Sequence, residues 1–144
     1  MNKALFLLPL TLLCTAKQTI QIKIHSKVPL IKLEDEQELF ASNVAKLIEY
    51  IYLHGYRCTF GEAYRTQEQA MIYAQEGKGI VNSLHRERLA VDLNIFDAND
   101  KLLTTVKECT IFGDYWESLH PLNRWGGRWK KRPDFDHYEM DREQ

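Results

Sequence analysis

His85 and Asp92 stand seven residues apart, and Asp134 and His137 stand three apart near the C-terminus. Imidazole and carboxylate are ligands that Zn²⁺ takes at catalytic centres, where three protein groups hold the ion and a fourth position stays open to water. Two neutral histidines and one aspartate leave such an ion with a net charge of about +1, and its water then has a pKa lowered toward about 7. A further carboxylate, Asp134, is suited to take that water's proton and hand it to a leaving amine. The set of His85, Asp92 and His137 with Asp134 reads as a metal-dependent hydrolase holding one zinc per chain. Taken alone, His85 and Asp92 also fit an ordinary loop histidine and a surface aspartate.

The elements that carry these residues are legible in part. Leu89, Val91, Leu93 and Ile95 alternate with Ala90, Asp92, Asn94 and Phe96, which is the pattern of a half-buried strand. The apolar set faces the core, so Asp92 points to the other face beside Ala90. From there it can reach back to His85 in the preceding loop. Phe135 to Met140 reads as a final short strand, with His137 sharing a face with Phe135 and Glu139, and Asp136 on the opposite side. Asp134 then lies at the loop edge after Pro133, and Asp136 and Glu139 remain alternatives to it as base.

Around these, Glu34 to Glu38 place acid ahead of an apolar stripe of Phe40, Val44, Leu47, Ile48 and Ile51, which predicts a helix ending at Gly55. Tyr56 to Gly61 reads as a strand. Thr66 with Gln69 makes a capping box for a second helix running to Gly77. Phe112, Tyr115, Trp116 and Leu119 predict a short helix closed by Pro121, and 123–133 a loop. The sum is a small α+β domain with two to three helices and a small sheet.

At 144 residues the chain suits one domain, and 27% charged with 44% hydrophobic residues is a globular composition. The net charge of -1 argues against a partner held by bulk electrostatics, so no nucleic acid is expected. One basic run, Arg128-Trp129-Lys130-Lys131-Arg132, fits either a solvated loop or a contact with an anionic polymer. Cys14, Cys58 and Cys109 form neither a disulfide framework nor a Cys-x-x-Cys zinc site. Cys58 and Cys109 could pair in an exported protein. Residues 1–16 combine Lys3, an apolar run from Ala4 to Leu13 and the small-x-small step Cys14-Thr15-Ala16. That suits a secretory signal, or else a buried strand or an upstream extension, and is too short to span a membrane. Residues 17–33, with Ile20, Ile22 and Ile24 alternating, suit an extended linker or edge strand, and 34–144 the catalytic domain. His25, His54 and His120 belong to no pattern.

Ser83-x-His85-x6-Asp92 followed by Asp134-x-x-His137 resembles the D-Ala-D-Ala-type zinc metallopeptidases of peptidoglycan. Gly61-Glu62-Ala63-Tyr64-Arg65-Thr66, Phe112-Gly113-Asp114-Tyr115-Trp116 and Trp125-Gly126-Gly127-Arg128-Trp129 extend the likeness over about residues 34 to 141, most closely toward phage endolysin L-alanyl-D-glutamate endopeptidases. The resemblance implies the small antiparallel zinc fold shared with lysostaphin-type enzymes and the hedgehog domain. It implies Zn²⁺ on His85, Asp92 and His137, with the base at Asp134 where many members have glutamate. It implies that Arg65 stabilises the oxyanion. Ser83 is expected to support the site by hydrogen bonding, and Trp125 and Trp129 either to line a substrate groove or to belong to the core.

The implied activity is hydrolysis of cell-wall stem peptides by a monomer. It would act in the periplasm or cell wall, reached through an N-terminal signal or through holin-dependent release during host lysis. A D-alanyl-D-alanine carboxypeptidase and a non-catalytic wall-binding or signalling module are the alternatives on the same fold.

Overall fold

The computed structural model describes residues 32–142. The expected signal segment, and all of the expected linker except Lys32 and Leu33, lie outside the described residues. Helix α1 spans Leu33–Leu53 and buries Phe40, Val44, Leu47 and Ile51, one stripe at helical spacing. Glu34, Asp35 and Glu36 occupy its first turn, where carboxylates favour the N-terminal end of the helix dipole. The helix stops at Gly55, whose φ of +78° is a conformation that side-chain-bearing residues rarely adopt.

Strand β1 (Arg57–Phe60) leads to helix α2 (Gln67–Gln75), where the Thr66 hydroxyl accepts the Gln69 amide as the capping pattern predicts. A single 3₁₀ turn, Leu84–Glu87, precedes strand β2 (Ala90–Phe96). Helix α3 runs over Val106–Leu119, a full turn and more ahead of the expected aromatic face, because Thr105 caps it by accepting the Glu108 amide. Strands β3 (Asn123–Trp125) and β4 (His137–Met140) complete a four-stranded antiparallel sheet in the order β1-β2-β4-β3.

This is the α+β architecture that the sequence predicts, with two differences besides the earlier start of α3. Residues 123–125 pair as a strand rather than forming a loop. Strand β4 starts at His137, so Phe135 and Asp136 form the turn that feeds it. The core lies between the sheet and the α1/α3 pair. The Trp116 indole N–H on α3 is shared between the carbonyls of Arg124 and Glu139, 3.1 Å from each, which ties α3 to β3 and β4. Cys58 and Cys109 are both free. Among the described residues no helix is long and apolar enough to cross a membrane.

Candidate metal centre

Asp92 and His137 are cross-strand partners in the β2/β4 register. Partners opposite one another share a face of the sheet, and here it is the face turned from the apolar Val91 and Tyr138. His85 enters from the 3₁₀ turn. Arg88, in left-handed backbone with φ 54°, turns the chain from there into β2. Gly61 and Glu62 extend the β1 pairing: the Gly61 amide donates to Asp92 O and the Asp92 amide to Glu62 O, both at 2.8 Å.

Three ligand-type atoms converge. His137 Nδ1 lies 3.0 Å from Asp92 Oδ1, His85 Nε2 lies 3.2 Å from His137 Nδ1, and His85 Nε2 lies 3.4 Å from Asp92 Oδ1. A tetrahedral zinc site with bonds of about 2.1 Å has edges of about 3.4 Å, so the triangle is close to one face of such a tetrahedron. Linear hydrogen bonds cannot satisfy all three sides of a triangle at once, whereas one cation can face all three lone pairs. The electrostatics agree. Burial alone would lower the pKa of His137, yet the hydrogen bonds and charges of Asp92 and Glu139 outweigh it and raise it to about 9. Burial alone would raise that of Asp92, yet hydrogen bonds from His137 and His85 bring it down to about 2. The centre therefore draws positive charge, supplied by a proton when no ion is bound. The residues present fit a divalent cation, and His85, Asp92 and His137 are the ones that would hold it.

A cleft of about 430 Å³ opens over the triangle, lined by Arg65, Ser83, Trp129, Arg132 and Asp134 among others. The Asp134 amide donates to Gly126 O at 3.0 Å. A Cβ on Gly126 would stand 2.6 Å from the Asp134 carbonyl oxygen and 3.0 Å from His137 Cβ, so glycine there lets this loop close on β3. Asp136 departs from the expectation that it faces away across a strand. It lies in the turn, with its carboxyl against that of Asp134. Burial first, and the hydrogen bond and charge of Asp134 next, raise its pKa to about 7.

Arg65 is held by Glu62, which accepts from Nε at 2.8 Å and from Nη2 at 2.5 Å, while Nη1 donates to the buried Ser83 hydroxyl at 3.2 Å. The two expected tryptophans separate. Trp129 stands 5.0 Å from the His137 ring and borders the cleft. Trp125 is core, 1% exposed, with its indole N–H donating to Phe135 O. Its ring lies where side chains on Gly113 or Gly127 would stand, 2.1 and 2.2 Å from their added Cβ atoms. Glu62 was not singled out from the sequence, although its place three residues before an arginine at a turn is a signal for such a pair.

A histidine and a carboxylate from the sheet and a second histidine from the turn that feeds it, with a further carboxylate and an arginine at the cleft walls, form an arrangement suited to a metal-assisted hydrolase. The family described as D-alanyl-D-alanine carboxypeptidase matches residues 76–140, the segment that contains His85, Asp92, Asp134 and His137. Among solved structures, the crystal structure of the Serratia marcescens L-Ala D-Glu endopeptidase ChiX is similar in fold. Its TM-score is 0.58 at 15% identity, covering 81% of this chain and 94% of that one. No curated protein matches the chain. The likeness to the D-alanyl-D-alanine carboxypeptidase family thus lies in the sequence of residues 76–140, and the likeness to ChiX in the fold of most of the chain.

Proposed function

We propose that the protein is a zinc-dependent peptidase of peptidoglycan that cleaves stem peptides at the L-alanyl-D-glutamate bond. The observation that carries the reading is the convergence of His85 Nε2, Asp92 Oδ1 and His137 Nδ1 at 3.0 to 3.4 Å in a cleft shared with Asp134. Zinc, when bound, lowers the pKa of a water and polarises a carbonyl. The chain's own groups do the rest. Asp134 accepts the proton of the attacking water and returns it to the leaving amine. Arg65, fixed by Glu62 and Ser83, donates its remaining N–H groups to the oxygen on which charge develops. Trp129 borders the cleft and narrows the access of bulk water.

The likeness to ChiX in fold supports the endopeptidase, and the family match favours a second reading, a D-alanyl-D-alanine carboxypeptidase. Mass spectrometry of digested, purified peptidoglycan separates them. New peptides beginning with D-glutamate support the first, and release of free D-alanine the second. An intact wall after incubation with zinc-loaded protein excludes both and leaves the non-catalytic wall-binding module. An endolysin that acts in the wall after holin release is the setting that this reading favours.

A further inference from the structure

The basic run 128–132 divides on folding. Arg128 turns from the cleft and is neutralised: its Nε donates to Glu117 at 2.5 Å and its Nη2 pairs with Asp114. Arg132 turns the other way and lines the cleft with Asp134 and His137. Its Nη1 donates to the Gly77 carbonyl at 2.8 Å. Gly77, with φ +67°, makes the turn after α2 that brings Lys78 and Gly79 to the same cleft. One hydrogen bond therefore joins the two loops that form this wall.

The charges along the wall are unequal. Arg65 is offset by Glu62, and Lys78 lies 2.7 Å from the carboxylate of Glu76. Among the described residues no carboxylate lies within 4.0 Å of the Arg132 guanidinium. A guanidinium offers five N–H donors in a fixed fork, and the contact with Gly77 uses one while fixing the plane. The edge that remains matches a carboxylate with two parallel hydrogen bonds. Asp134, which lines the same cleft, repels an anion, so an acidic group is directed toward the Arg132 guanidinium.

We propose that Arg132, steadied by the Gly77 carbonyl and assisted by Lys78, is a specificity residue that binds a free carboxylate of the substrate beside the scissile bond. This rests on the peptidase reading and adds the orientation of the peptide to it. The carboxylate is either the α-carboxylate of an internal glutamate linked through its side chain or the C-terminus of the peptide.

The test uses stem peptides in acid and amide pairs, amidated at the internal carboxylate or at the C-terminus, with the zinc-loaded full chain. One of the two acids should exceed its amide in kcat/KM by about 10-fold or more, the scale of a charge-assisted hydrogen bond. The position that matters identifies the carboxylate. Arg132→Ala should bring that ratio near one and Arg132→Lys should give an intermediate value. Lys131→Ala, which removes a neighbouring charge outside the cleft, should keep the wild-type ratio. Circular dichroism checks that the variants fold. Equal rates for both pairs, or a preference that survives Arg132→Ala, overturn the proposal while the hydrolysis itself upholds the peptidase. If no peptide is cleaved, the peptidase reading fails. Calorimetric affinities of the same pairs for wild type and Arg132→Ala then decide the carboxylate site by the same ratios.

Discussion

Glu139 Oε2 lies 3.1 Å from His137 Nε2, two residues along the same strand, and Glu139 Oε1 meets Arg124 at 2.8 Å. A carboxylate only accepts, so the pair keeps a proton on Nε2 and aims Nδ1 at Asp92 and His85. Glu139→Ala should weaken zinc binding by about 10–100-fold, the usual effect of losing a partner behind a metal-ligating histidine. Glu139→Gln, whose amide oxygen still accepts, should retain most of the affinity. Competition with a chromogenic chelator measures both. An unchanged affinity in the alanine variant would mean that packing alone orients His137.

The protein should bind one zinc per chain, and His85→Ala, Asp92→Ala and His137→Ala should each lose it. With its pKa raised to about 9, His137 is protonated at pH 7 in the metal-free protein. Binding must displace that proton from Nδ1, so about one proton should leave per ion and affinity should rise with pH until about pH 9. Calorimetry in buffers of different ionisation enthalpy counts the proton. Zinc uptake with no proton release would contradict the arrangement.

Asp134→Asn should keep the fold and the zinc and lower kcat by about 10²–10⁴-fold, since the amide preserves shape but takes no proton. KM should change little, because the loss is felt in the transition state. Single-turnover kinetics beside metal analysis make the comparison. Asp136→Asn gives the contrast: if it abolishes turnover with zinc retained while Asp134→Asn stays active, the base is Asp136.

Gly126→Ala should act on the same loop without touching its carboxylate. The added methyl meets the Asp134 carbonyl oxygen at 2.6 Å, so the loop must shift. A cost of about 1–3 kcal/mol is typical of inserting a methyl group into a packed site. Thermal unfolding should show that loss, together with a fall in kcat larger than the fall in zinc affinity. Wild-type kcat would mean that the loop tolerates displacement.

The sequence revealed what periodicity and spacing encode. The stripe from Phe40 to Ile51 and the alternation in β2 each extend over enough residues to identify an element and its buried face. The ligand spacing survived because β2 and β4 pair directly, which sets Asp92 opposite His137. Strand β3 was hidden because its three residues, Asn123–Trp125, are too few to alternate. Its Asn123 is buried through a hydrogen bond to Trp116 O at 2.9 Å that no local pattern announces. Phe135 looked like strand for its β propensity, but its carbonyl is used by the Trp125 indole. Which tryptophan is core depends on room left by Gly113 and Gly127, and that is a tertiary fact. The role of Arg132 depended on Gly77, far away in sequence, so composition showed only a basic run.

The buried Glu36 in the first turn of α1 accepts from Arg142 Nε at 2.8 Å, just past the end of β4, and Arg142 also meets Glu87 at 3.1 Å. The entry and exit of the domain are therefore side by side. Chains with such adjacent ends tolerate circular permutation and insertion into a host loop. Joining 142 to 33 through a short glycine-rich bridge, and reopening the backbone in the exposed turn 98–100, places β4 with His137 ahead of β2 with Asp92 along a single chain that still carries all three ligands. The centre would then be carried across the new junction by the sheet alone, so the domain becomes a cassette whose chemistry depends on pairing between β2 and β4 and not on the order in which they are synthesised.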